Sequence, residues 1–437
     1  MSHKGFSYRI YPTPEQEVSI KKAFGTARFV YNWALDLRQN TYKETGKGLT
    51  YCKISKKLTA LKQEYPWLKE TERSVPQYSL IHLTQAYANF FRRLKEGKKG
   101  KAVGFPTYKT KKTRKQSYST SFAHSNIEVF ADAIKLPTLG LVKARIHRPI
   151  EGHIKSVTVK RMPTGKYFAS VLCDVPEPAK LPARNAAVGI DLGLHTFATL
   201  STGEKINLPE SLYKADKKIR KANRELHHRV KGSRNRAKAR IKLAKAYEKL
   251  KNRREDFQHK LSLRLVRENQ AIGLETLAVL NLMRRRKTGK ISKKTGKEIT
   301  HRGMGRAFAL AAFGGLIHKI GYKADWYGTY IVYSDRFYPS SQLCHCCGYQ
   351  NPLVKDLKVR EWTCPKCHAH HDRDINAALN LLGEVLKVFP ELNKNQDTNR
   401  DGIARINACG DLTSTQRLIS AAQVTSLKQE ITGLGQW

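Results

Sequence analysis

The apolar positions change period several times along the chain, and each change marks an element. Residues 5–12, GFSYRIYP, alternate and stop at Pro12, the pattern of a short strand. Thr13-Pro14-Glu15-Gln16 then supplies a helix start, a Thr cap followed by proline in the first turn. From there to about residue 95 the period is helical. Phe24, Ala27, Phe29, Val30, Trp33, Ala34 and Leu37 fill one face, and a second helix over 77–94 repeats the spacing through Leu80, Leu83, Ala86, Tyr87, Phe90 and Phe91. These stripes read as core. From residue 117 to about 175 the period is two, in six segments separated by turn residues. A small β-barrel is expected there, closed by the strand at 5–12. The proline-rich 176–184 is a linker.

From Ala186 a new sheet is expected, opening with AAVGIDLGLHTFATLS. Residues 212–268 are helical and interrupted near Gly232-Ser233, which predicts an antiparallel helix pair. A buried strand is expected over 269–279, a basic loop over 284–305, a helix over 306–320 and a strand over 330–338. A helix follows Asp374, and 390–437 reads as a loosely ordered tail.

Charge narrows the choice of partner. The 437 residues hold 81 Lys and Arg against 36 Asp and Glu, a formal net charge of +45. Such a balance calls for a polyanion. A repressor-type protein makes only about six to ten phosphate contacts, whereas a guide–target heteroduplex of about 20 base pairs carries roughly 40 phosphates. The excess fits a long nucleic-acid channel better than one operator. The basic runs at 95–116 and 212–268 supply candidate phosphate ligands, among them Lys109, Lys111, Lys112, Arg114, Arg220, Arg224 and Arg236. Tyr51, Gln77 and Thr120 are candidate readers of base edges in a short duplex motif. No apolar run approaches a membrane span and the first residues hold no signal-peptide core, so no membrane partner and a cytoplasmic, nucleoid-associated location are expected.

Two constellations carry chemistry. Cys344/Cys347 and Cys364/Cys367 form two CxxC pairs separated by sixteen residues, the spacing of a zinc ribbon. Four thiolates close a tetrahedron around one structural Zn²⁺. His345, His368, His370 and His371 leave open a site in which a histidine replaces one cysteine, and Cys346 is not expected to be a ligand.

The second constellation is acidic. In Val188-Gly189-Ile190-Asp191-Leu192-Gly193, Asp191 shares a strand face with two glycines, and Ile272-Gly273-Leu274-Glu275 repeats the device. The glycines are expected to clear room for a ligand beside each carboxylate. Asp374 enters from the first turn of an apolar helix, where the helix dipole favours its ionised form. Asp191, Glu275 and Asp374, gathered on one sheet, suit two hard divalent cations, Mg²⁺ or Mn²⁺, and phosphodiester hydrolysis.

At these residues the chain resembles the TnpB family, transposon-encoded RNA-guided DNA nucleases related to type V CRISPR effectors. The matching stretches include RIYPTPEQ (9–16), ARFVYNWAL (27–35), GIDLG (189–193), IGLETL (272–277), FYPSSQLCHCCG (337–348) and WTCPKCHAHHDRDINAALNL (362–381). The resemblance implies a fold of mixed class: an α/β RNase H-like (RuvC) core with an inserted zinc ribbon, a wedge β-barrel and a helical recognition lobe. In this chain these map to a barrel at 1–12 and 106–182, a recognition domain at 13–105, nuclease segments at 183–339 and 371–389, and a ribbon at 340–370. It also implies Asp191, Glu275 and Asp374 as metal-binding catalytic residues, a guide RNA from the transposon end, and double-stranded target DNA marked by a short flanking motif. The family's motif favours Asp374 over Asp372 as the third acid. Many members carry a further Asp in the helix at 306–320, where this chain reads AFALAAFGGL. A DNA-joining transposase and an RNA-guided repressor without cleavage are the rival readings.

Overall fold

The computed structural model describes residues 2–98, 100–111, 116–283, 286–291, 298–301 and 304–392. Lys112, Arg114 and all but the first three residues of the expected tail lie outside these. The chain divides into two compact units near Glu177.

In the first unit, β1 (Ser2–Tyr11) leads into α1 (Pro14–Thr45) through the predicted cap. The Thr13 hydroxyl accepts from the Gln16 amide at 3.3 Å, and the Gln16 side chain accepts from the Thr13 amide at 3.0 Å. α1 serves two cores in succession. Ile20, Ala23, Phe24 and Ala27 pack on a sheet, whereas Val30, Tyr31, Ala34 and Leu35 pack among helices. Those helices are α2 (Tyr51–Glu64), which supplies Ile54, Leu58 and Leu61, and α3 (Ser74–Lys95), which supplies Leu80, Leu83 and Tyr87. Most of the aromatic stripes are therefore core. Phe91 is the exception, half exposed.

The sheet contains β1, β2 (Gln116–Ser121), β3 (Glu128–Val129), β4 (Ala133–Leu136), β5 (Gly140–Arg145), β6 (His153–Arg161) and β7 (Tyr167–Val175). Its order is β2-β6-β7-β1-β5-β4-β3, antiparallel throughout. The expectation that the first strand closes a barrel is corrected. β1 runs up the middle, paired with β7 over Ser2–Ile10 and with β5 at its far end. Its buried Phe6, Tyr8 and Ile10 anchor the core, and no described ladder joins β2 to β3.

In the second unit, β8 (Ala187–Asp191), β9 (Ala198–Leu200), β10 (Lys205–Ile206), β11 (Ala271–Leu274) and β14 (Tyr330–Tyr333) form a sheet of order β10-β9-β8-β11-β14. β8, β11 and β14 are parallel, and β9 and β10 turn back antiparallel. The helix pair is observed as α4 (Glu210–His227) and α5 (Arg234–Glu268). Leu261 and Leu265 of α5 cover one face of the sheet with Phe313, Leu316 and Ile320. α9 (Arg373–Val388) covers the other with Leu382 and Val385.

Several boundaries differ from expectation. The strand expected over 269–279 pairs only over Ala271–Leu274, because the charged Glu275 marks where the chain leaves the sheet; α6 (Val279–Met283) follows. The basic loop carries a two-stranded ribbon, β12 (Arg286–Ile291) with β13 (Glu298–His301). The helix at 306–320 is two, α7 (Gly305–Ala311) and α8 (Phe313–Tyr327), broken at Ala312, whose φ is +50°. The Gln258 side-chain amide donates at 3.0 Å to the Ala311 carbonyl freed by the break, and at 3.1 Å to the Ala312 carbonyl, which also accepts from the Gly315 amide at 2.8 Å. The strand at 330–338 stops at Tyr333. Among the described residues no helix is long and apolar enough to cross a membrane.

Candidate active site

β8 and β11 lie in register, Gly189 beside Gly273 and Ile190 beside Leu274. Asp191 is the last residue of β8 and Glu275 the first past β11, so both acids sit two residues beyond a glycine, on that glycine's face. The glycine pair faces α9. A Cβ at Gly189 would fall on the Ala378 carbonyl oxygen and within 2.5 Å of the Leu382 amide nitrogen; one at Gly273 would lie 2.5 Å from the Leu381 carbonyl oxygen. The glycines thus clear room for a helix backbone, which corrects the expectation that they clear room for a ligand. Ala377 and Ala378, buried, complete the close approach. Asp374 lies four residues before Ala378 on the same helix face, so docking of α9 carries it toward the ends of β8 and β11.

Electrostatics record the convergence. The Asp191 carboxyl is pushed up to about 7, first by burial and then by the negative charges of Asp374 and Glu275, with the Arg373 guanidinium pulling the other way. Burial raises Glu275 as well. The trio is nevertheless open. Among the described residues only cysteine-containing groups bring three or more donor atoms all within 4.8 Å. In buffer without divalent cations the Asp191 shift has a stability consequence. The folded chain holds a proton that the unfolded chain releases near pH 4, so stability falls as pH rises from about 4 to about 7 and then levels, by an amount of order 4 kcal/mol. Melting temperature in chelator across that window measures it, and Asp191→Asn is expected to flatten the curve.

Asp372 has a different task from its neighbour. Its carboxylate accepts from the Asp374 and Ile375 amides at 3.0 Å each, capping α9, and it pairs with Lys205 at 2.6 Å. α9 also carries the cysteine clip. The Asn376 side-chain amide donates to Leu343 O at 2.6 Å, Asn380 donates to Ser340 O and Leu343 O at 2.8 and 2.7 Å, and the His345 amide donates to Asn376 Oδ1 at 3.0 Å. Buried Arg373 donates to the Asp356 and Val359 carbonyls at 2.7 and 3.3 Å. Arg360 reaches Asp374 at 3.7 Å. Sequence reading did not single out Arg360, Asn376 or Asn380; the signal for the two asparagines was their four-residue spacing along an apolar helix, and none marked Arg360.

The clip is formed by two knuckles, flanked by β15 (Glu361–Thr363) and β16 (His370–Asp372). Cys344 Sγ lies 3.5 Å from Cys367 Sγ, and Cys347 Sγ 3.6 Å from Cys364 Sγ. Tetrahedral thiolates around one ion at the usual bond length of about 2.3 Å would stand roughly 3.8 Å apart, so the four can hold a structural metal. Cys344, Cys346 and His371 form a second, overlapping group, with His371 Nε2 3.0 Å from Cys344 Sγ.

The nucleic-acid candidates are dispersed. Gln77, Lys111, Arg220 and Arg224 are exposed, and Tyr51 is half-buried at the start of α2. Lys109 lies over the Tyr31 ring at 3.9 Å. Arg236 closes the α4–α5 turn by donating to Leu226 O and Arg229 O at 2.9 and 2.7 Å. Thr120, expected at a base edge, is buried: its hydroxyl donates to Glu72 at 2.9 Å and accepts from Ser74 at 3.1 Å, because the start of α3 needs those partners.

A family model described as "Probable transposase" matches residues 170–286, one described as "Cas12f1-like, TNB domain" matches 313–381, and one described as "Helix-turn-helix domain" matches 1–47. In this structure the last region holds one strand and one unbroken 32-residue helix. A Streptomyces pristinaespiralis protein provisionally named an RNA-guided DNA endonuclease is 39% identical over 435 residues, 98% of this chain and 96% of the relative. InsQ of Escherichia coli K12, provisionally named likewise, is 29% identical over 87% of this chain and 91% of its own. Among solved structures, Cas12f1 in its cryo-EM complex with sgRNA and target DNA has a TM-score of 0.50 at 14% identity, covering 87% of this chain and 98% of that one, a likeness of fold. With identity of 39% sustained across nearly the full length of both chains, and family models lying over the strands of Asp191 and Glu275 and over the clip and helix of Asp374, this protein belongs to the TnpB family.

Proposed function

We propose that this protein is an RNA-guided endonuclease that cuts double-stranded DNA by metal-dependent phosphodiester hydrolysis. The observation that carries the reading is the gathering of Asp191, Glu275 and Asp374 about the ends of the interior strands β8 and β11, where burial first, and then the charges of Asp374 and Glu275, raise Asp191 well above the usual carboxylate range. Two Mg²⁺ or Mn²⁺ ions fit this oxygen-only donor set. Bound there, they supply an activated water and stabilise the leaving 3′ oxygen. The chain's own residues position the reaction. The paired glycines admit α9, Asp372 caps it, and Arg360 beside Asp374 offers a cation where a phosphate would arrive. The antiparallel sheet and helices of the first unit are read as wedge and recognition domains, and the mixed sheet of the second as an RNase H-like core.

The clip is read as a zinc ribbon of Cys344, Cys347, Cys364 and Cys367. Because its backbone at Leu343 and His345 is bonded to Asn376 and Asn380 on the helix of Asp374, losing its metal should reach the acids. Cys364→Ser is expected to take zinc, counted by atomic absorption, from one per chain to none. Cleavage should fall by about tenfold or more.

A plasmid library with randomised flanking sequence tests the whole reading. Protein carrying its co-purified RNA should cut a subset defined by a short motif, in Mg²⁺ and not in chelator. Cutting by RNA-free protein, strand transfer of transposon ends, or motif binding with no cutting would each defeat it, the last two in favour of a transposase or a repressor.

A further inference from the structure

α1 carries a glycine that the fold does not explain. Gly25 lies mid-helix, where glycine is about 1 kcal/mol less favourable than alanine. Its φ is not in the left-handed region, and a Cβ there would meet nothing within 4 Å. Gly189 and Gly273 are the contrast, since another helix's backbone occupies the space their missing side chains leave. Gly25 instead lines a cleft of about 590 Å³ between α1, the end of α2 and the turn at Pro66–Lys69, within the size range of small-ligand sites, roughly 300–1,000 Å³. The cleft is lined by aromatic side chains. Phe29 meets Tyr65 at 5.4 Å and Trp67 at 5.1 Å, both edge-on, and Trp67 is 39% exposed. Arg28 stands one turn from Gly25, and the carboxylates of Asp36 and Glu64 complete the lining.

We propose that this cleft receives a single unstacked nucleobase from a single-stranded segment of bound nucleic acid, with the base passing over Gly25. The inference rests on the nucleic-acid part of the reading above and not on cleavage. Exposed rings stack any base, and stacking contributes about 1–3 kcal/mol per base. Arg28 can meet the adjoining phosphate. Asp36 accepts the Tyr108 hydroxyl with part of its capacity, and a carboxylate has room for further donors. Acceptors at the wall select bases that carry an exocyclic amino group, cytosine above thymine or uracil.

Gly25→Leu and Trp67→Ala test it. Two quantities are measured beside melting temperature: the rate at which co-purified RNA is lost, and the affinity of RNA-loaded protein for a target duplex. Gly25→Leu should melt no lower than wild type yet share with Trp67→Ala a loss of about tenfold or more in one quantity. A change in RNA retention assigns the base to the guide; a change confined to duplex affinity assigns it to target DNA. Single-stranded dC15 should compete better than dT15 for wild type, and the preference should vanish in Trp67→Ala. If either variant fails to fold, Arg28→Gln supplies the same comparison. Wild-type protein that binds RNA while the variants stay within twofold in both quantities would overturn this inference alone. Wild-type protein without RNA would overturn the nucleic-acid reading with it.

Discussion

Replacing Asp191 with alanine is expected to reduce DNA cleavage on the order of 10³-fold or more, while the variant still purifies with its RNA and still binds target duplex. The magnitude follows from removing one fixed group at the point where charge develops in the transition state. The selectivity follows from position: Asp191 closes β8, the middle strand of its sheet, and none of the nucleic-acid candidates is on that strand. A second effect should accompany the first. Asp191 is buried, and burial together with the nearby charges of Asp374 and Glu275 raises its carboxyl to about 7. In chelator at pH 8 the variant should therefore melt above wild type, a gain in stability bought by loss of function. Cleavage within tenfold of wild type would remove the acidic trio from the chemistry.

Gly189→Ala should be the most damaging small substitution in the second unit. One methyl group would be driven into the Ala378 carbonyl and the Leu382 amide, both backbone atoms in a buried helix that no rotamer change can relieve. Overpacking against backbone is expected to destabilise by about 3 kcal/mol or more, and α9 would have to lift, taking Asp374 with it. Thermal melting and the soluble yield check the first effect, and cleavage at a permissive temperature checks the second. Gly383→Ala, on the same helix with nothing within 4 Å of the added Cβ, is the control. It should raise stability by about 0.4–1 kcal/mol. Equal behaviour of the two would mean that close packing of α9 is not what the glycine serves.

Both expectations show how the chain can be read and where reading stops. The helix start at Thr13, the pair of helices at 212–268 and the clip were legible because each is set by neighbours within a few residues: a cap, a period, a CxxC spacing. The break at Ala312 was not, because the Ala311 carbonyl it frees is bonded by Gln258, fifty-three residues away. Thr120 shows the same limit from the other side. As a hydroxyl on a strand it looked available to a base, and only the arrival of Glu72 and Ser74 buries it.

Taken alone, then, the sequence determined which side chains could do chemistry. Gly189 and Asp191 fall on one face of their strand, Gly273 and Glu275 on one face of theirs, and an acid opens a small-residue helix, because side-chain direction is a local property of strand and helix. Only the tertiary structure decided what the glycines are for. That answer depends on α9 lying against β8 and β11, contacts between residues 189 and 108 positions apart in the chain that no local period encodes.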